Sequence, residues 1–230
     1  MSAPLKVFST LAVQGALPAL VQRYERATGT RVDVYFEPTN GLLARIAAGE
    51  AADVAILTRA AIDDLAARGL LVPHSVADVA ISLVGIAMKA GAAKPDISSV
   101  EALKATLLQA RSIAYSKIGA SGVFFAELIQ RLGIADEVNA KATVIPSGFT
   151  AELAARGDVE LAVQQVSELM LVPGIDVVGP LPPGAESVTM FSAGVFAASD
   201  QAEAALELIA CLRSADATRA LHAAGLQAVA

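Results

Sequence analysis

The chain has 230 residues, 55% of them hydrophobic and 17% charged, with a net charge of -6 and a mean hydropathy of +0.57, a balance that excludes intrinsic disorder. Its length suits one large domain or two small ones, enough to bury roughly 70% of the surface that the unfolded chain would expose. The 17 basic and 23 acidic residues form no basic run and no aromatic stacking platform, which argues against nucleic acid, while a single cysteine, Cys211, and two histidines exclude an internal disulfide and a Cys/His metal cluster.

Short β-branched runs alternate with longer Ala- and Leu-rich runs of helical spacing, the pattern of a parallel α/β sheet. Leu5 to Ser9 reads as a strand, followed by a helix from about Gly15 to Ala27 that stops at Gly29 and carries Pro18 in its first turn. Arg31 to Glu37 alternates as a second strand, a helix from Leu42 to Ala48 closes at Gly49, and Val54 to Leu57 is a short buried strand before a helix from Ala60 to Ala67. Val79 to Met88 is too apolar for a loop and reads as a long strand crossing between two lobes. The pattern then restarts: helix Val100 to Gln109, strand Ser112 to Tyr115, helix Val123 to Leu132, strand Ala142 to Ile145, helix Thr150 to Arg156 and strand Leu161 to Gln164. Pro180 to Gly184 is a surface turn, Ser187 to Ala197 a second long strand, and Gln201 to Arg213 and Asp216 to Ala224 two closing helices. The expected fold is two Rossmann-like α/β lobes joined by a two-stranded hinge. Residues 1–80 and 195–230 form the first lobe and 81–194 the second, with a ligand cleft between them.

Met1 to Lys6 carries no charged segment followed by an apolar core, so no signal peptide is read there. Two expectations stay open: a cytoplasmic protein with a native start, or a periplasmic one whose leader has been removed. The longest apolar stretch, Val79 to Met88, is about half of the ~20 residues needed to cross a bilayer, so no transmembrane span is expected.

In open parallel sheets ligands sit beyond the carboxyl ends of the strands, which directs attention to the residues that follow each one. They are small and polar: Ser9-Thr10, Pro38-Thr39-Asn40-Gly41 and Thr58-Arg59, then Ser116-Lys117 leading to Gly119-Ala120-Ser121-Gly122, Pro146-Ser147-Gly148, and Gln164-Gln165. Most of these loops open helices, whose N-termini offer unpaired N–H groups and partial positive charge to an anion. Taken singly, each Ser or Thr is an ordinary helix cap. Their recurrence in both halves favours binding of a small anion.

Other chemistries are poorly supported. Gly119-Ala120-Ser121-Gly122-Val123 lacks the spacing of a nucleophile elbow, His74 and His222 have no partner signal, and neither a P-loop nor G-x-G-x-x-G is present. Met170, Met190 and the few aromatics read as packing and Cys211 as a buried thiol, so neither a metal nor a cofactor is expected.

Val7-Phe8-Ser9-Thr10, the run from Phe36 to Gly49, and Ala52-Asp53-Val54-Ala55-Ile56-Leu57 resemble the molybdate-binding proteins of ABC importers, within the type 2 periplasmic-binding-protein fold. The similarity continues through Gly122 to Gly133 and Val163-Gln164-Gln165-Val166-Ser167-Glu168. It implies that neutral hydroxyls and backbone amides hold the ligand: Ser9, Thr10, Thr39 and Asn40 in the first lobe, the Ser116–Gly122 loop in the second. It also implies a permease partner if the chain is exported. The family's return-segment tyrosine is missing, with Gln165 near its position, and Arg59 and Lys117 add cationic groups. A guanidinium grips a planar carboxylate bidentately, so these departures point to an organic acid and to the branch that includes binders and isomerases of carboxylates such as aconitate.

Two functions therefore remain: a solute-binding protein for a small carboxylate, or an isomerase that performs an allylic proton shift on an unsaturated di- or tricarboxylic acid. The ligand-binding set is Ser9, Thr10, Thr39, Asn40, Arg59, Ser116, Lys117, Ser121, Gly122, Ser147, Gln164 and Gln165. An isomerase also needs a base, for which Glu37, Glu168, Tyr115 and Lys117 are the candidates.

Overall fold

The computed structural model describes residues 3–229, and the chain divides into two compact lobes, Met1–Ser82 with Thr189–Ala230 and Leu83–Val188. The start at Met1-Ser2, on which the leader reading turns, lies outside the described residues.

In the first lobe β1 (Leu5–Ser9) lies between β2 (Val32–Phe36) and β3 (Val54–Thr58), all parallel. β9 (Val188–Val195) then pairs antiparallel with β3, β4 (Ala77–Lys89) lies beside β9, and the short β10 (Gln227–Ala228) pairs with β4. A parallel strand must be reached by a crossover, and α1 (Leu17–Thr28), α2 (Thr39–Ala47) and α3 (Arg59–Ala67) provide those connections. α9 (Ala202–Leu212) and α10 (Ala215–Ala223) pack with α1 on one face, while α2 and α3 cover the other. Both faces of the sheet are thus buried, which is why β3 reads as an unbroken apolar run.

The second lobe repeats the plan in the order β8 (Ile175–Pro180), β4, β7 (Leu161–Gln165), β5 (Ile113–Ser116), β6 (Ala142–Ile145). α4 (Val100–Gln109), α5 (Ala120–Arg131) and α6 (Ala135–Asn139) bury one face, around Phe125 and Tyr115. α7 (Thr150–Arg156) and α8 (Val166–Leu169) bury the other against a layer of alanines. Two strands, β4 and β9, run from one lobe into the other, as the expected hinge requires.

Several boundaries differ from the sequence reading. The first helix begins at Leu17 after a 3-10 turn at Leu11–Val13, because Pro18 is confined to a first turn and places the start beside it. α2, α3 and α5 begin at Thr39, Arg59 and Ala120 rather than 42, 60 and 123. Thr-Asn-Gly and Ser-Gly have weak helix propensity and read as loops, yet they form first turns once the strand feeds directly into the helix. α6 and α8 are short helices, β8 and β10 are short strands held by non-local pairing, and β8 runs up to Pro180, where the expected turn begins.

Candidate functional site

Parallel pairing brings the carboxyl ends of β1, β2 and β3 to one edge: Ser9 lies opposite both Phe36 and Ile56. The Thr10 N–H continues the ladder to the Ile56 carbonyl at 2.9 Å, and Glu37 N–H reaches the Ser9 carbonyl at 3.1 Å. Ser9, Thr10 and Thr39 are therefore buried together around one strand end, and Asn40 follows in the exposed first turn of α2. The Ser9 hydroxyl is turned onto the Thr10 carbonyl at 3.2 Å. Thr39 is not a helix cap. Pro38 occupies the cap position, and no side chain caps the N-termini of α2, α3 or α5, whereas α4 and α10 are capped by Ser99 and Ser214.

Arg59, expected as a carboxylate clamp, makes two ion pairs within its own chain. Its guanidinium already holds two carboxylates, Asp63 at 2.8 Å and Asp78 at 2.9 Å, in an exposed pair of ion pairs. Asp78 also accepts the Ser192 hydroxyl at 2.7 Å, and that bond, followed by Arg59, holds its carboxyl below the usual range. With both anions in place, Nε and one Nη of the guanidinium fork are engaged.

In the second lobe β5 and β7 are parallel, with Ile113 opposite Leu161 and Ala114 opposite Ala162, and the two strands end at Ser116 and Gln165. Ser116 is 3% exposed, and its hydroxyl is buried without a hydrogen-bond partner. It sits inside the first turn of α5, where a Cβ on Gly119 would come 2.5 Å from it and one on Gly122 2.6 Å. An unsatisfied buried hydroxyl costs about 1–3 kcal/mol, and here it lies beside an uncapped 12-residue helix that favours negative charge. Ser121 is buried in the same turn, while Lys117 and Ser147 are exposed at the ends of β5 and β6.

Gln164, expected among the ligand contacts, has its amide engaged within the fold. Its Oε1 accepts the Thr150 N–H at 2.8 Å and the Thr150 hydroxyl at 3.0 Å, and its Nε2 donates to the Gly148 carbonyl at 3.0 Å and also pairs with Glu168. A primary amide has two acceptor and two donor positions, so Gln164 is satisfied as the clamp that starts α7. Gln165 is buried on the neighbouring position. Thr150 carried no functional signal in the sequence, since its partner lies 14 residues away across the α7 crossover.

The four candidate bases separate clearly. Glu37 is held by Arg45 at 2.6 Å, and Tyr115 donates its hydroxyl to Asn139 at 2.7 Å, with burial pushing its phenol further up. Lys117 is exposed. Glu168 is buried, and desolvation pushes its carboxyl up to about 7 against the opposing hydrogen bonds from the Gln164 side chain and the Gln165 backbone.

A cavity of about 660 Å³ in the first lobe lies at the other edge of the sheet, beside Lys6 and Asp53 at the amino ends of β1 and β3. Its best-placed carboxylate, Asp53, is already bound to the Lys6 N–H and the Ser199 hydroxyl. Among the described residues no group of three or more His, Cys, Asp or Glu could hold a metal ion, and no helix is long and apolar enough to cross a membrane.

Two α/β lobes connected by two strands, with hydroxyl-rich helix starts at the strand ends, define a solute-binding architecture. The chain belongs to the bacterial extracellular solute-binding protein family, which it matches over residues 5–227. It is similar to an aconitate isomerase from a Pseudomonas species, 37% identical over 231 residues that span 98% of this chain and 88% of that protein. The periplasmic molybdate-binding protein of Azotobacter vinelandii aligns with a TM-score of 0.81 at 19% identity, over 98% of this chain and 100% of that one. A periplasmic thiamin binding protein aligns with a TM-score of 0.79 at 15% identity, over 100% and 84%. At those identities the structural likeness is one of fold, the type 2 periplasmic-binding-protein fold.

Proposed function

We propose that this chain binds a small unsaturated tricarboxylate of the aconitate type and shifts its double bond by an allylic proton transfer. The similarity to an aconitate isomerase over nearly the whole chain carries this reading. The chemistry of the helix starts supports it. Each lobe by itself offers donors to a carboxylate: Ser9, Thr10, Thr39 and Asn40 on the first, and Ser116, Ser121 and the α5 N-terminus on the second. Charge that spreads onto a carboxylate during proton removal is stabilised by nearby N–H and hydroxyl donors. Arg59 and Gln164 have no part in this reading, because their polar atoms are engaged elsewhere. Family membership supports a second reading, in which the chain is a receptor that carries a small carboxylate to an ABC permease without altering it.

Proton NMR of purified protein with trans-aconitate, alongside calorimetric titration with aconitate and molybdate, tests both. Interconversion of the aconitate isomers is the expected result. Binding without interconversion leaves the receptor reading, and binding of molybdate alone defeats the carboxylate assignment.

A further inference from the structure

Ligand binding does not account for the polar group where β7 meets α8. Glu168 is the third residue of α8 and is 7% exposed, and its carboxyl is bonded by the Gln165 backbone and by the Gln164 side chain. The backbone contact is half of a capping box, for which any acceptor oxygen suffices; a glutamine would supply one without burying an acid. Both donors to this carboxyl are neutral amides. Gln164 is itself locked by Thr150 and Gly148, so the donor that orients Glu168 has a single arrangement. β5 and its parallel neighbour β7 end at Ser116 and Gln165, so Glu168, just beyond β7, follows the same strand-end edge as the unpartnered Ser116 hydroxyl, in a sheet whose neighbouring strands are about 5 Å apart.

We propose that Glu168 is the acid–base residue of this site. The inference rests on the isomerase reading above. Ionised Glu168 takes a proton from the methylene carbon of the tricarboxylate: that C–H bond breaks, an O–H bond forms, and the electron pair spreads across the allylic system. The Glu168 O–H then delivers the proton to the former vinylic carbon, the double bond moves by one position, and the residue is again a carboxylate. Nothing is oxidised or reduced and no co-reactant enters. Burial that brings the carboxyl to about 7 suits it to both halves of this cycle near neutral pH.

The test compares wild type, Glu168→Gln and Glu168→Asp with trans-aconitate, following isomer interconversion and deuterium uptake at the methylene carbon by NMR and binding by calorimetry. Glu168→Gln should lose on the order of 10²- to 10⁴-fold in turnover and in exchange while binding aconitate within about threefold of wild type. Glu168→Asp should recover part of the loss. Turnover in Glu168→Gln equal to wild type overturns the proposal and leaves the isomerase reading standing. Loss of binding in both variants makes Glu168 a structural residue and also overturns it. A wild type that neither binds nor turns over aconitate defeats the reading and the inference together.

Discussion

Gly122 faces Ser116 so closely that a Cβ on the glycine would lie 1.8 Å from the Ser116 carbonyl oxygen and 2.6 Å from its hydroxyl. The obstacle is backbone, which cannot rotate aside, so the turn from β5 into α5 has room only for glycine. Gly122→Ala should destabilise the protein by about 1–3 kcal/mol or more, and anion binding at this loop should fall with it. Urea denaturation of the unliganded protein measures the first effect; an unchanged midpoint would show that the turn opens freely.

Ser116→Ala should behave in the opposite way. It removes a buried hydroxyl that has no partner, so the unliganded variant should be as stable as wild type or slightly more so. Ligand affinity should drop roughly ten- to a hundredfold, the loss of one hydrogen bond to a charged group worth about 1.5–3 kcal/mol. Thermal melting with and without aconitate reads both, and a variant that loses stability but keeps affinity would make Ser116 a packing residue.

Thr39 stands at the first helical position of α2 with Pro38 before it as cap. Thr39→Ala should accordingly lower unliganded stability by no more than about 1 kcal/mol while lowering affinity about tenfold or more. Unchanged affinity in a calorimetric titration would remove the β2–α2 turn from the site.

For Gln164→Ala the expected effect is on the fold. Truncation leaves the Thr150 N–H and the Gly148 carbonyl without their buried partner, at a cost of about 2–4 kcal/mol, or roughly 4–16 °C in melting temperature for a chain of this size. A melting temperature within a degree of wild type would show that water replaces the amide.

Glu168 makes stability fall as pH rises. Its ordinary value is near 4.5 and its folded value about 7, so between these limits the folded state keeps a proton that the unfolded state has lost. Stability from this group is therefore full below about 4.5, declines through the window and levels off above 7, a total of roughly 3 kcal/mol. Glu168→Gln should gain on wild type at pH 8 and match it near pH 4.5. Parallel stability curves for the two proteins would show that the carboxyl is not perturbed.

The α/β class, the two lobes and the placement of most strands were legible because alternation and apolar runs are local: Leu5 to Ser9, Val100 to Gln109 and Thr150 to Arg156 form the elements their spacing predicts. The polar character of the strand ends was legible for the same reason, since it follows the strands in order along the chain. Which of those polar residues remain available to a ligand was not, because that depends on partners far away in sequence. Ser192, 114 residues from Asp78, helps hold the carboxylate that occupies Arg59, and Thr150 takes up Gln164. Hydrogen-bond satisfaction and desolvation are properties of the packed interior. A composition can supply a serine, a glutamine and a glutamate, but only the fold decides that Ser116 is left unpaired, that Gln164 is fully engaged, and that Glu168 is buried enough to hold a proton near neutrality.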